Sequence, residues 1–342
     1  MGVAFLQANL NHCARAQDLF LQSMAEWDVD VAVVSEPYAI PALSHWTGDL
    51  DGSVAIVARS GAAPPLVTKR RGNGFVVAVR GEYAIIGVYF SPNRDLPDLE
   101  QFMDALGPEV RRLAPLKVIV AGDFNAKSTA WGNPATEPKG RKVEEWALAA
   151  GLTLLNRGSA YTCVRRTGGS MVDLTFATPA AARTVMDWRV EVGVETLSDH
   201  WYIRFEVSAT PQSQAVSSPR VRSRFPRWAL TRLDRELAEE AAIVGRWSLP
   251  PLARVGVDEA ASRLGATFTA VCRAAMPSVG RAPPRRAIYW WSAEIAALRT
   301  ACNAARRAYS RNRRRNTRDE ERDGRLYAVY VDKRKELQLA IS

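Results

Sequence analysis

The stretch LKVIVAGDFN, residues Leu116–Asn125, shows the pattern that organises the first part of the chain. It begins as a short, continuous run of apolar and β-branched residues, which predicts a strand buried on both faces. It then changes to Gly122, Asp123 and Asn125, residue types that favour turns. The stretch therefore predicts a buried strand that delivers a carboxylate and an amide to the loop at its end.

Similar apolar stretches on either side predict a sheet-rich domain with few helices. The other predicted strands are Val3–Leu10, Val29–Pro37, Ser53–Arg59, Gly74–Arg80, Tyr83–Phe90, Leu152–Asn156, Met171–Ala177, Trp188–Val192 and His200–Val207. Helical spacing occurs in Ala14–Trp27, Leu99–Leu113 and Val143–Ala150. Short strands joined by turns, with only a few helices, favour an α/β fold of two packed β-sheets with outer helices over a doubly wound parallel sheet.

Charge divides the chain into two parts. The 342 residues include 46 Lys and Arg against 36 Asp and Glu, a net charge of +10. Residues 1–208 hold 20 basic and 23 acidic residues, whereas residues 209–342 hold 26 and 13. The basic excess therefore lies in the last third, which indicates a polyanionic partner such as nucleic acid.

Polar residues stand at or just beyond the ends of the apolar strands. They are Asn9 and Asn11, Glu36, Asp123 with Asn125, Asp173, and Ser198-Asp199-His200. Carboxylate and amide oxygens, in a chain with only 3 histidines, favour Mg²⁺ or Mn²⁺ over zinc. An imidazole can bind or protonate phosphate oxygens while a metal neutralises charge, so His200 beside Asp199 suits phosphate chemistry.

Each of these features alone also has an ordinary structural explanation. Glu36 alone is typical of a solvated turn, the GDFN sequence of an Asx-turn, and Ser198-Asp199-His200 of a strand cap. Burial is the favoured interpretation of Trp131 and Trp201. The joint pattern favours a functional site because the order, spacing and flanking strands agree.

Six blocks together resemble the endonuclease/exonuclease/phosphatase superfamily, in particular the endonuclease domain of insect-type non-LTR retrotransposons. The blocks are QANLN (Gln7–Asn11), SEPY (Ser35–Tyr38), YFSPN (Tyr89–Asn93), GDFNAKSTAWG (Gly122–Gly132), SMVDLTFA (Ser170–Ala177) and LSDHWYI (Leu197–Ile203). They are spread over about the first 208 residues in the order of the family. The resemblance implies a four-layer sandwich of two packed mixed β-sheets with outer helices.

The resemblance also implies catalytic roles. Asp123 matches the aspartate that orients or deprotonates the attacking water, and Asn125 the amide that binds a phosphate oxygen. His200 matches the histidine that contacts the scissile phosphate. Asp199 would serve a second metal position or the surroundings of His200, and Asp173 matches the aspartate of the S-x-[IV]-D block.

Metal and DNA contacts are implied in the same way. Glu36 matches the principal metal-ligating glutamate, Asn9 the amide that helps to hold the metal or its waters, and Asp199 a further ligand; the expected ion is Mg²⁺, or Mn²⁺. The implied DNA contacts are Asn11, Thr162, Ser170, Tyr89 and Asn93. His12 and His45 match no motif and are assigned no role.

One position departs from the family pattern. The family often has a tyrosine directly before x-P-N, where this chain has Phe90, with Tyr89 one residue earlier. Because successive strand residues face opposite sides, Tyr89 is not expected to replace a phenol at position 90. Either that role is dispensable here, or a basic residue or the metal serves the leaving-group side.

The remaining third is predicted to be helical and basic. We expect a domain at 1–208, a linker at 209–226 and a basic helical connector region at 227–342, with helices at Leu230–Val244, Val257–Met276 and from Trp291 to about Leu339. Composition leaves three interpretations of the last helices open: a solvated amphipathic helix, a partner-binding helix, or a phosphate-binding arm. The W-W-x-x-E-I-x-x-L-R pattern from Trp290 resembles the connector toward the reverse transcriptase of these elements. No F/Y-x-D-D motif follows, so we expect the chain to be either a piece of a longer polyprotein or a truncated copy.

The sequence thus predicts a metal-dependent endodeoxyribonuclease that nicks one strand of target DNA to prime reverse transcription of a non-LTR retrotransposon. The alternatives are an apurinic-site repair nuclease, another phosphodiesterase of the superfamily, or an inactive nucleic-acid-binding remnant. The expected partners are duplex DNA, element RNA through the basic region, and a reverse transcriptase region in cis. The sequence shows no signal peptide and no apolar run long enough for a membrane span, so an intracellular, nuclear location without membrane contact is expected.

Overall fold

A computed structural model describes residues 2–61, 64–166, 168–208, 227–228, 232–247, 257–276, 278–279, 290–313 and 320–341. Internal contacts group residues 1–213 with 287–342 in one compact unit, and residues 214–286 form a second. The predicted linker, 209–226, lies outside the described residues, and the predicted connector region is divided between the two units.

The first unit contains two sheets of six strands. The first sheet comprises β1 (Val3–Asn9), β2 (Val31–Ser35), β3 (Trp46–Gly48), β4 (Val54–Ala58), β13 (Val185–Val190) and β14 (Ile203–Val207), in the order β13-β14-β1-β2-β4-β3. The second comprises β5 (Val67–Gly72), β6 (Phe75–Arg80), β7 (Tyr83–Tyr89), β8 (Lys117–Asp123), β9 (Thr153–Leu154) and β12 (Asp173–Ala177), in the order β5-β6-β7-β8-β12-β9. A short hairpin of β10 (Cys163–Arg165) and β11 (Gly168–Ser170) stands apart from both.

Each sheet has one parallel pair at its centre, and its other neighbours are antiparallel. β1 pairs with β2 in parallel, with Asn9 opposite Ser35. β7 pairs with β8 in parallel, with Tyr89 opposite Asp123. Both sheets are therefore mixed, as predicted.

Alternating side chains give every central strand an inner and an outer face. Val31 and Val33 belong to the core between the sheets, whereas Ala32 and Val34 face the outer core of the first sheet. Three helices cover the outer faces: α1 (Ala14–Glu26) on the first sheet, and α2 (Leu96–Arg112) and α3 (Pro138–Ala149) on the second. A four-residue helix, α4 (Pro179–Ala182), follows β12. The predicted four-layer α/β sandwich is confirmed.

Local differences from the prediction have local causes. The helix expected from Leu99 begins at Leu96, because the Asp95 side chain accepts a hydrogen bond from the Asp98 backbone N–H (3.0 Å) and Pro97 suits the first turn. β5 was not predicted; it is largely exposed and includes Lys69, so it lacks the apolar alternation that marks a strand.

Further helices follow the sandwich along the chain. The second unit contains α5 (Arg235–Trp247), α6 (Val257–Ala275) and the short strands β15 (Arg227–Trp228) and β16 (Ser278–Val279). The first unit contains α7 (Ala293–Arg313) and α8 (Glu320–Ala340). Within the described parts of the chain, no helix is both long and apolar enough to span a membrane.

α7 and α8 form an antiparallel pair, in which the Asn312 amide donates to Asp323 (2.6 Å) and the rings of Tyr309 and Tyr327 lie 5.3 Å apart. The pair packs on the outer core of the first sheet, where Cys302 and Leu337 are fully buried beside residues of α1. The last helices are therefore packed against the sandwich rather than solvated on all sides.

A buried carboxylate fixes this helical pair to the sandwich. Glu195, between β13 and β14, is fully buried, and its Oε2 lies 3.1 Å from Arg306 Nη1 of α7 and accepts a hydrogen bond from the Tyr330 hydroxyl of α8 (3.1 Å). The Arg306 guanidinium also lies over the Trp201 ring, 3.5 Å from its centroid. A second contact joins Arg299 of α7 to Glu26 of α1 (3.1 Å).

We expect Arg306→Ala to lower the free energy of unfolding by about 3 kcal/mol, because it leaves Glu195 buried without its main cationic partner. Arg307→Ala is the matched control: Arg307 is the next residue but is exposed, so the expected loss is below about 0.5 kcal/mol. Urea denaturation followed by tryptophan fluorescence measures both. Equal losses in the two variants would show that the ion pair does not hold the helical pair in place.

Candidate active site

The polar residues singled out in the sequence meet at one edge of the two sheets. Asn9 ends β1, Glu36 follows β2, Tyr89 ends β7 and Asp123 ends β8. Because β1 and β2 are parallel, as are β7 and β8, the carboxyl ends of each pair lie at the same edge. Antiparallel β12 begins there, with Asp173 directly opposite Asp123.

Asp123 joins the two sheets at this edge. Its carboxylate accepts hydrogen bonds from the Asn9 side-chain amide (2.9 Å) and from the Asn125 backbone N–H (2.9 Å). Its own backbone N–H donates to the Ser35 hydroxyl of the first sheet (3.2 Å). Gly122 allows β8 to approach β7 here, since a Cβ on it would lie 1.8 Å from the Val88 carbonyl oxygen. The Asp123 carboxylate is therefore held from both sheets.

Asp173 and His200 form a buried pair beside Asp123. The Asp173 carboxylate lies 2.8 Å from His200 Nδ1, and both side chains are almost fully buried. His200 is placed by the antiparallel bridge between its backbone and that of Cys163. Ligand atoms of Asp123, Asp173 and His200 all lie within 4.8 Å of one another.

Burial and charge shift the titration of these groups. Burial, reinforced by the nearby Asp173, raises the pKa of the Asp123 carboxyl to about 7, against the lowering effects of His200, Asn125 and Asn9. Burial lowers the pKa of the His200 imidazole, but the charge of Asp173 and its hydrogen bond outweigh burial and hold that pKa well above its ordinary value. The site therefore favours a protonated imidazole next to carboxylates.

The Glu36 carboxylate lies beside Tyr89, the residue that pairs with Asp123 across β7 and β8. It accepts a hydrogen bond from the Tyr89 hydroxyl (2.6 Å), and His12 Nε2 lies 3.6 Å away. Burial and the adjacent Glu36 raise the pKa of the Tyr89 phenol above its usual value. Glu36 has a positive φ of 46°, a conformation that non-glycine residues rarely adopt and that recurs here at Asn11, His12, Asn125 and Leu197.

The structure corrects the expectation for Tyr89. Residues 89 and 90 do face opposite sides, as predicted. However, the Phe90 side chain points away from the site and packs with Phe102 in the outer core of the second sheet. The Tyr89 phenol points to Glu36. A phenol is therefore present at the site, supplied from position 89.

The donor set fits a hard divalent cation. Carboxylate and amide oxygens dominate the edge, and among the described residues the buried Oδ1 of Asp199 has no hydrogen-bond partner. Its other oxygen, Oδ2, lies 2.6 Å from Arg165 Nε. Burial raises the pKa of the Asp199 carboxyl, but His200 and Arg165 outweigh burial, so the carboxyl remains ionised and able to bind a cation. Asn9 Oδ1 accepts from the Asn11 N–H (2.8 Å), which leaves one lone pair for a metal or its water.

The residues predicted to contact DNA occupy different positions. Asn11 and Asn93 are exposed at the rim, and Ser170 is half-buried on β11. Thr162 is fully buried, and its hydroxyl accepts from the backbone N–H groups of Val172 and Asp173 (3.1 Å each). Thr162 therefore holds the start of β12 in place and is not positioned to contact DNA at the surface. Trp131 and Trp201 are buried, as predicted.

Two residues of the site were missed in the sequence. Gln7 is buried between the sheets, where its amide donates to the Gly122 carbonyl (3.1 Å) and its oxygen accepts from the Thr175 hydroxyl (2.9 Å). A polar residue inside an apolar strand was the available signal. Arg165 contacts Asp199, but no sequence pattern indicates this contact because the two residues lie 34 positions apart in the chain.

Comparison with known proteins identifies the class. Residues 83–204 match the family described as endonuclease-reverse transcriptase. The endonuclease domain of TRAS1, a telomere-specific non-LTR retrotransposon, superposes with a TM-score of 0.52 at 26% identity, covering 60% of this chain and 98% of that domain. The N-terminal domain is therefore an endonuclease/exonuclease/phosphatase domain.

One of the relatives in this comparison is a retrotransposon protein. The 115 kDa protein of the type-1 retrotransposable element R1DM of Drosophila melanogaster is 26% identical over 331 residues, which cover 89% of this chain. The chain spans only 31% of that protein. The 3′ phosphatase NExo from Neisseria, bound to a product DNA hairpin, shares the fold, with a TM-score of 0.50 at 20% identity, covering 60% of this chain and 99% of that one. The domain is thus homologous to the R1 retrotransposon protein and to the TRAS1 endonuclease domain.

We expect Asp173→Asn to lower the pKa of the His200 imidazole, because a neutral amide replaces the carboxylate that favours the imidazolium. An NMR titration of the metal-free protein measures the shift directly. The chain has only 3 histidines, and the His45 resonances serve as an internal reference. An unchanged His200 titration would show that Asp173 does not control its protonation.

Proposed function

We propose that this protein is a Mg²⁺-dependent DNA endonuclease that hydrolyses one phosphodiester bond of target DNA. The observation that carries the proposal is the convergence of Glu36, Asp123 and the Asp173–His200 pair at one sheet edge. Homology to nuclease domains supports the reaction class. A strand nick is the simplest outcome of a single such site.

The chain's own residues can deprotonate the attacking water and stabilise the charge that develops on the phosphate. As the water oxygen bonds to phosphorus, the P–O3′ bond breaks and the departing 3′-oxygen takes a proton from solvent. Asp123, whose pKa burial raises to about 7, can take a proton from an attacking water. The protonated His200, oriented by Asp173, can donate a hydrogen bond to a non-bridging phosphate oxygen as negative charge develops. The Asn125 side-chain amide donates to the Phe90 carbonyl (3.1 Å), which fixes it at the same edge for a phosphate oxygen.

Glu36, Asn9 and Asp199 are the residues that would hold the metal. A bound Mg²⁺ would supply charge neutralisation at the phosphate, a role that Mn²⁺ can also fill. The Tyr89 hydroxyl on Glu36 orients that carboxylate, as partners of metal ligands commonly do. Asn11, Ser170 and Asn93 remain proposed DNA contacts at the rim.

The biological context follows from the relatives. We propose that the nick leaves a 3′-hydroxyl that primes reverse transcription of a non-LTR retrotransposon, with a reverse transcriptase region in cis. The support is the match along 89% of this chain to a retrotransposable-element protein that is about three times as long. Chromosomal DNA as the substrate implies a nuclear location, and element RNA is a further proposed partner of the basic region.

We expect the purified chain to convert supercoiled plasmid to open circles in Mg²⁺ and to lose this activity in EDTA. Asp123→Asn should slow nicking by about 100-fold or more, because an amide cannot take the proton from the attacking water. His200→Gln should slow it by a similar factor, because a neutral amide lacks the positive charge that stabilises the phosphate as negative charge develops. Agarose electrophoresis over time gives the rates. Asp104→Asn, an exposed change on α2, is the control and should nick at the wild-type rate.

Two results would contradict the proposal. If plasmid stays supercoiled, or if Asp123→Asn and His200→Gln nick at the wild-type rate, the catalytic assignment is wrong. If intact plasmid is resistant while a duplex with an abasic site is cut, the protein is a repair-type nuclease instead.

A further inference from the structure

A second groove adjoins the site on the far side of the β10–β11 hairpin. The groove next to the catalytic edge is lined by Asn125 and Ser170, and the second groove has a volume of about 1080 Å³. Gly168 and Gly169 of β11 line both, so the two grooves meet along the hairpin. Any long substrate that crosses the catalytic edge in this direction would continue into the second groove.

The second groove is strongly cationic. Four arginines line it: Arg157 before the hairpin, Arg189 of β13, and Arg307 and Arg311 of α7. No Asp or Glu lines it among the residues that the structure describes. Arg189 forms an ion pair with Glu191, with Nε 2.9 Å from Oε1. The excess positive charge of the groove therefore comes mainly from Arg157 and from the arginines of α7.

α7 is fixed at this groove, and its arginines fall into two groups: some form ion pairs with the sandwich, and others are exposed. Arg299 and Arg306 are buried, and each forms an ion pair with a carboxylate of the sandwich. Arg307 and Arg311 are exposed and lie one helical turn apart, on the same face. Neither forms an ion pair with any described carboxylate, and Arg307 donates only to the Gly193 carbonyl (2.8 Å). Two like charges on one helix face repel, and a bound polyanion would relieve that repulsion.

The aromatic residues of the groove distinguish duplex from single-stranded nucleic acid. Single strands are bound by stacking bases on exposed rings. Here Trp188 and Trp201 are buried, and the Trp201 face is covered by Arg306. Tyr309 packs against Tyr327 and Tyr330. Tyr161 also lines the groove; it is half-buried, and its ring lies against Gly169. Among the described residues the groove thus offers positive charge and no fully exposed ring for stacking, which suits the phosphate backbone of a duplex.

We propose that this groove binds the phosphodiester backbone of the substrate duplex beyond the scissile bond, with Arg307 and Arg311 of α7 as phosphate ligands. This inference rests on the proposed nuclease function and extends it: a helix outside the sandwich becomes part of the DNA-binding surface. The compared TRAS1 domain matches only 60% of this chain. The helical pair would therefore lengthen the footprint on DNA without taking part in the chemistry.

The test measures binding of a fluorescent 30-base-pair duplex by anisotropy in EDTA, as a function of salt concentration. Arg307→Gln with Arg311→Gln should reduce the slope of log affinity against log salt by about 2, because two phosphate contacts are lost. Arg307→Lys with Arg311→Lys should keep the wild-type slope, because lysine retains the charge. Thermal melting of each variant confirms that it is folded.

The matched control changes two exposed arginines at the end of α2, by Arg111→Gln with Arg112→Gln. α2 begins near the catalytic edge at Leu96, and its last turn lies at the other end, so the same loss of charge should leave the slope unchanged. The proposal is overturned if the α7 variant keeps the wild-type slope, if the α2 control loses as much, or if wild-type protein does not bind duplex. The proposal is also overturned if the α7 variant binds single-stranded RNA more weakly but binds the duplex as tightly as the wild-type protein does. Binding in EDTA is independent of cleavage, so loss of nicking alone contradicts only the proposed function.

Discussion

The Asn9–Asp123 hydrogen bond joins the two sheets at the edge where the residues of the candidate site meet. Asp123 is almost fully buried, and burying a carboxylate is costly unless hydrogen bonds and nearby charges compensate. Asn9 supplies one such bond from the first sheet, and the Asn125 backbone supplies another from the loop beyond β8. The site can therefore form only when the sheets pack in this register.

Electrostatic coupling within the site follows from that burial. Asp123 and Asp173 stand opposite each other on neighbouring strands, where two like charges raise the cost of ionising both. A protonated His200 between the carboxylates offsets that repulsion. The proposed hydrolysis uses both groups of this arrangement: a carboxylate that can accept a proton and an imidazolium that can donate a hydrogen bond.

The last helices belong to the same physical unit as the site. Glu195 lies only a few residues before Asp199 and His200 and is fully buried against α7 and α8. The loop that carries His200 is thus held by the helical pair on one side and by the Thr162 region on the other, where the Trp201 backbone N–H donates to the Thr162 carbonyl (2.7 Å). A segment that composition describes only as basic and helical therefore supports the loop that presents His200.

The sequence by itself determined most of the strands of the sandwich, the layer architecture and most of the residues that meet at the candidate site. Apolar runs such as Leu116–Val120 ending in polar residues are local patterns, and their order along the chain matched a family. Tertiary structure alone decided the rest: the Asp173–His200 pair, the bridging role of Gln7, the direction of the Tyr89 phenol, and the docking of α7 and α8. These features depend on contacts between residues far apart in sequence, which form only after the sheets have paired and packed, and no local pattern encodes them.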